Sequence, residues 1–236
     1  MSPKITREVR EIEIIEVAQK IIRKNGLVNF KMSDLSKKAK MSVGTIYSHF
    51  PSKEDLFLGI HLHHLKKKEA IFFKVFDHNT WSSLEKVIAM TLSDLDYDRK
   101  MMELSEVHAI AMFPSVWEKA SPGITSRLEE SSQCLGDVIK VNIDQAIREE
   151  GIQLNNDLPS EVSVGVSLWG LGLGLHHVFR SFCMKAENIN SGAEELIVAQ
   201  SFAQLIKGLG AKTELNTKDI LNLLKEVQTL TTETLS

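Results

Sequence analysis

The sequence predicts an all-α protein: a three-helix head followed by a larger helical body. Three observations carry that expectation. No sustained period-two alternation occurs in the 236 residues, while apolar residues recur at spacings of three and four. The run from Lys38 to Leu56 compresses a helix end, a tight turn, a very short helix and a new helix start. Residues 159–184 are apolar nearly all round, as in a helix covered on most sides.

The head follows from local chemistry. A first helix carries Ile14, Ile15, Ala18, Ile21 and Ile22 on one face and ends at Gly26. A second runs from about Ser33 to Ala39, with Met32, Leu35 and Ala39 inward. The turn Lys40-Met41-Ser42 leads to a short helix at 43–49, with Ser42 as N-cap. Gly44 leaves the first turn of that helix bare, so a partner can approach its backbone. Pro51 stops it, and Ser52 caps the next helix with Asp55 as capping-box partner. So short a helix is a poor core element and a good probe for a groove. Three small helices presenting the third to a DNA major groove is a helix-turn-helix.

The body reads as helix after helix. One spans Lys53 to about Phe76. Thr80 is expected to cap another, with Leu84, Ile88, Thr91, Leu92 and Leu95 on one stripe and a loop at Asp96–Lys100. A helix from Met101 to Met112 stops before Pro114, and Ser121-Pro122-Gly123 marks a second break. A long helix then runs to Glu150 and ends at Gly151. Asn155-Asn156-Asp157 reads as a loop before the apolar helix at 159–184, and another helix covers Glu194–Leu209. Thr217 is expected to cap the last, with Ile220, Leu223, Leu224, Val227 and Leu230 inward. The division expected is 1–52 for the head and 53–236 for the body.

Composition narrows the class. The chain is 43% hydrophobic and 25% charged, enough for a sizeable core. It holds no run of eighteen apolar residues, so no membrane span and a cytoplasmic location are expected. Cys134 and Cys183 have no metal or redox spacing and read as buried or inert thiols. Net charge is −3, but it is unevenly spread. Residues 1–60 hold 11 Lys/Arg and 7 Asp/Glu (+4), and residues 61–236 hold 17 and 24 (−7). The basic share coincides with the helix-turn-helix, where phosphates would lie.

The head resembles the tetracycline-repressor (TetR) family of bacterial regulators over residues 8–58. The likeness rests on Ile14-Ile15-x-Val17-Ala18-x-x-Ile21-Ile22-x-x-x-Gly26 and on Leu35-Ser36-x-x-Ala39-x-Met41-Ser42-Val43-Gly44-Thr45-Ile46-Tyr47-x-His49-Phe50-x-x-Lys53-Glu54-x-Leu56. Two positions depart from the family pattern. Lys40 stands where Gly is frequent and must accept a left-handed conformation. Lys31 stands where Thr is frequent, which removes a hydroxyl cap and leaves Ser33 to serve.

The resemblance implies a dimeric, ligand-responsive DNA-binding regulator, most often a repressor, on a palindromic duplex operator. Val43, Gly44 and Thr45 would face base edges, and Tyr47 and His49 resemble the family's phosphate contacts. Lys53, Lys31, Ser33 and Ser42 complete the expected DNA-facing set, while Ile46 and Phe50 should pack on Leu35 and Ile22. A four-helix dimer interface is implied for the helices at 159–184 and 194–209, with Leu168, Leu175, Leu196, Phe202 and Leu205 as candidates. The family's central pocket for a small apolar ligand would draw on His108, Met112, Phe113, Trp117, Trp169 and His176. Gly165 and Gly172 beside Trp169 allow two readings: pocket lining, or close helix packing with Trp169 in the core.

His61, His63 and His64 with Lys66–Lys68 read as a solvated basic face rather than metal ligands. No phosphate loop, nucleophile elbow or Cys/His set points to an enzyme, and no metal or cofactor is expected. The alternatives are the same fold without a small-molecule ligand, and a helical metal-binding protein or enzyme.

Overall fold

The computed structural model describes residues 6–101, 104–152, 159–180 and 191–235. Every regular element among them is a helix. In chain order these are α1 (Arg7–Asn25), α2 (Met32–Ala39), α3 (Val43–His49), α4 (Lys53–Phe76), α5 (Ser83–Lys100), α6 (Ser105–Ala111) and α7 (Pro114–Trp117). Then come α8 (Pro122–Glu150), α9 (Ser160–Arg180), α10 (Ser191–Gly208) and α11 (Thr217–Leu235).

The chain forms two compact units, Met1–Lys67 with Met101–Gln133, and Lys68–Lys100 with Cys134–Ser236. This division falls inside α4 rather than at its start. The physical reason is the core of the first unit. Leu56, Phe57 and Ile60 of α4, and Leu104 and Val107 near α6, are buried with Ile14, Ile21, Ile22, Leu35, Ile46 and Phe50. A second small core joins Leu58, Leu62, Ala111, Ile124 and Leu128, with Trp117 against it. Trp117 Nε1 donates to the Ala111 carbonyl at 2.7 Å, so this indole is a structural brace.

In the second unit, α5 packs on α9 and α11, and α10 packs on both. Gly172 marks the α9–α5 contact: a Cβ there would lie 2.7 Å from Thr91 Cγ2. The glycine therefore permits close helix approach. A buried ionic group sits in the same unit. Lys68 Nζ lies 2.6 Å from Asp94 and 2.8 Å from Asp98, above the Tyr97 ring. Burial alone would lower the Lys68 pKa; the two carboxylates outweigh it and raise it.

Several local expectations change. α5 continues through the stretch expected to be a loop, because Asp96 pairs with Lys100 one turn on and Asp98 with Lys68. Its capping box is Ser82 with Glu85, not Thr80, and that of α11 is Asn216 with Asp219, not Thr217. Cys134 is exposed. Cys183 and the Asn155–Asp157 loop lie outside the described residues, as does the end of the helix expected to reach 184. α9 is, by length and composition alone, long and apolar enough to cross a bilayer, with a mean hydropathy of 1.4. One side of it, Val164, Leu168, Gly172 and His176, is nonetheless buried among its neighbours.

Candidate nucleic-acid interface

The turn before α3 is fastened from both sides. Lys40 takes the left-handed conformation expected of it, with φ 54°. Ser36 Oγ donates to the Met41 carbonyl at 3.0 Å, and the Met41 N–H donates to the Ser36 carbonyl at 3.1 Å. Ser42 then caps α3, accepting from the Thr45 N–H at 3.0 Å, with the two hydroxyls 2.8 Å apart. α4 opens the same way: the Asp55 N–H donates to Ser52 Oγ at 2.9 Å, and Ser52 Oγ in turn bonds the Asp55 carboxylate. These caps are worth roughly 0.5–2 kcal/mol each.

The inner face of α3 is Ile46 and Phe50, both buried with Leu35 and Ile22 as expected. Burying each contributes about 1.5–3 kcal/mol, so the helix cannot roll about its axis without exposing them. Its outer face is Val43, Gly44, Tyr47 and Ser48, all exposed, with Thr45 half-buried beside them. A Cβ at Gly44 would meet only Ser42 Oγ, at 3.7 Å, so nothing among the described residues requires a glycine there. Lys31, Ser33, Lys37, Lys38 and Lys40 are exposed around this face. Lys31 occupies the N-cap position of α2 without a side-chain cap bond, and Ser33 does not replace it, because the helix already begins at Met32. Lys53 Nζ is held over the Phe30 and Phe57 rings, 5.6 and 5.2 Å from their centroids.

His49 is mostly buried. Its Nδ1 faces Glu11 Oε1 at 3.9 Å. Arg7, absent from the sequence expectations, donates from Nη2 to the Ser48 carbonyl at the end of α3, at 3.4 Å. The Arg7–Glu11 spacing of four was the available signal.

The other candidate sets are redistributed. His108, Met112, Phe113 and Trp117 belong to the first unit, Trp169 and His176 to the second. Met112 and Phe113 are exposed, and Trp117 is braced as described. Trp169 is 48% exposed on the outer face of α9 and does not line the cleft that holds His176. His176 is buried beside a cleft of about 30 Å³, lined also by Leu95, Phe179 and Val198. Burial holds its imidazole below the ordinary histidine range, against the pull of Asp98.

Among the interface candidates, Phe202 and Leu168 are 0% and 2% exposed. Both belong to the chain's own core and offer no surface to a partner. Leu196 is exposed, and Leu175 and Leu205 are half-buried. The exposed apolar residues of α9 are instead Val162, Val166, Trp169 and Val178.

The histidine run is not a solvated face. His64 is buried, its Nε2 2.7 Å from Gln19 Nε2, and the rings of His61 and His64 lie 5.4 and 5.3 Å from that of His108. Among the described residues no group of three His, Cys, Asp or Glu is placed to hold a metal ion.

Three short helices, a fastened turn and a bare outer face on the third define a helix-turn-helix head. Residues 14–60 match the family described as bacterial regulatory proteins, tetR family, so the helix-turn-helix head is similar to that family's. Solved structures of similar fold include a gamma-butyrolactone receptor (ArpA-like protein), 18% identical, TM-score 0.56, covering 95% of this chain and 99% of that one. RolR in complex with resorcinol is 12% identical with TM-score 0.57, over 92% and 94% of the two chains. The transcriptional regulator FadR from Bacillus subtilis, in complex with stearoyl-CoA, is 16% identical with TM-score 0.53, over 93% and 96%. A search of curated protein sequences gives no match.

Proposed function

We propose that this chain is a dimeric, sequence-specific DNA-binding regulator of transcription, acting in the cytoplasm as a repressor on a palindromic operator. The observation that carries the reading is the outer face of α3. It presents Val43, Gly44 and Tyr47 exposed, with Thr45 half-buried beside them, on a helix locked by Ile46 and Phe50. Val43 and Thr45 suit base edges, and Tyr47 and Lys53 suit phosphates. One helix of seven residues reads few base pairs, so selectivity asks for two copies in successive major grooves. The apolar outer face of α9, with Leu196 of α10, supports pairing of two chains. That pairing also gives the hydropathy of α9 a reason other than a bilayer.

RolR with resorcinol and FadR with stearoyl-CoA show this fold carrying small molecules. An effector seated beside His176 would have to widen that 30 Å³ cleft, since small-molecule sites span roughly 300–1,000 Å³; the second unit also holds an open cleft of about 690 Å³ between Trp81 and Glu226. A regulator whose signal is not a small molecule fits the described residues equally.

The test is duplex binding by the full chain against salt, with mass by light scattering. If about six phosphates are neutralised, log K falls against log salt with a slope near −5. Lys53→Ala should flatten that slope by about one per subunit. Affinity indifferent to salt, or a monomer at micromolar concentration, contradicts the reading.

A further inference from the structure

A polar cluster in the first unit links α8 to the far end of α3. Glu11 of α1 is only 6% exposed. Its Oε1 accepts from Arg7 Nε at 2.9 Å, and its Oε2 accepts from Arg127 Nη1 of α8 at 3.0 Å. On α3, His49 Nδ1 faces the same carboxylate and has no hydrogen-bond partner among the described residues. Arg7 reaches on to the Ser48 carbonyl, one of the acceptors a helix C-terminus leaves without an intrahelical donor. The carboxylate is thus faced by Arg7 on its own helix, His49 on α3 and Arg127 on α8.

Burial alone would raise the Glu11 pKa, but the two guanidiniums outweigh it and hold the carboxyl below the usual range. A desolvated anion is costly to leave short of cations, so each arginine is held to its place.

We propose that Glu11 is a positioning residue for DNA recognition. It fixes the C-terminal end of α3 through Arg7, which reaches the Ser48 carbonyl, with His49 facing the same carboxylate, and Arg127 fixes Glu11, so α8 sets the pose of the recognition helix through one carboxylate. This rests on α3 being the element that meets DNA. Charge alone makes the opposite prediction, because removing an anion near phosphates should tighten binding.

The experiment compares Glu11→Gln, Arg127→Met and the double variant, in the full chain, on the wild type's preferred duplex at fixed salt. Each single change should weaken binding roughly 5- to 10-fold. The double variant should be no weaker than the worse single one, because both act through one group. Binding by Glu11→Gln that equals or exceeds wild type overturns the proposal, as do losses that multiply. A second readout needs no DNA. Amide exchange over residues 46–50 should quicken about 5-fold or more in Arg127→Met, whose side chain is half exposed and dispensable to the core. Unchanged exchange there also overturns it. A wild type without DNA affinity would contradict the proposed function and leave the exchange test standing.

Discussion

α3 and α9 are both helices with one face buried and one bare, and their bare faces differ in kind. α3 exposes Val43, Gly44, Tyr47 and Ser48 with lysines around it. The bare face of α9 carries Val162, Val166 and Trp169. The first is short, capped and polar at its rim, and suits a charged, hydrogen-bonding groove. The second suits another apolar helix. The polar groups beside the two bare faces also differ. Lys31, Ser33, Lys37, Lys38 and Lys40 are exposed at α2 and the turn after it, with Glu11 and His49 beneath α3, whereas the Lys68–Asp94–Asp98 group and the ring of His176 lie largely inside the second unit. Changes around α3 should therefore cost binding, and changes around α9 should cost stability or assembly.

The largest expected effect breaks the inside of that contrast. Lys68→Met leaves Asp94 and Asp98 without their shared cation, at a cost of about 3–5 kcal/mol in urea-unfolding stability. A loss below 1 kcal/mol would mean that the cluster is solvated. Next is the outer face of α9. Val166 is 60% exposed, so Val166→Glu should leave the subunit folded while placing a charge in the proposed interface. We expect the dimer dissociation constant to rise on the order of 100-fold by sedimentation. An unaffected dimer would move the interface elsewhere. Phe202→Glu, by contrast, should unfold the chain, because Phe202 has no exposed surface.

On α3 the cost should appear in binding alone. Thr45→Ala should lose about 1–3 kcal/mol per half-site on the preferred operator and less on random DNA, with little change in thermal midpoint. Equal losses on both DNAs would make Thr45 a backbone contact.

The smallest effect is in pH. Burial depresses the folded-state pKa of His176, so the folded chain binds fewer protons there than the unfolded one. The associated stability is complete above the unfolded value of about 6.5 and drains away as pH falls through the lower folded value. Thermal midpoints should drop from pH 7 to 5.5, and His176→Asn should reduce but not abolish the drop, since His63 is depressed in the same direction. A drop identical in both proteins would remove His176 from this account.

How much was legible in the sequence follows the same contrast. The head was readable because its signals are local: Ser42 and Ser52 cap within three residues, Lys40 closes the turn, and one apolar stripe faces inward. The helix at α9 is legible from its apolar run, but periodicity cannot tell its buried side from its exposed one. The sequence therefore points Leu168 outward and Trp169 inward, whereas Leu168 is buried in the chain's own core and Trp169 is half exposed. Phe202 failed for the same reason. His64 looked solvated because Gln19 lies 45 residues away, and Glu11 was invisible as a hub because Arg127 lies 116 residues on. The loop expected at Asp96–Lys100 is helix because its acids find lysines on two different helices.

The most direct test of the central claim is unbiased selection of duplex DNA by the full-length chain from a random pool. The account predicts recovery of one two-fold symmetric site, its half-sites about 34–36 Å apart centre to centre or a little more. Val43→Ala or Thr45→Ala should relax the selected sequence within each half-site. A recovered pool no different from the input, or a single asymmetric half-site bound by one chain, would contradict it.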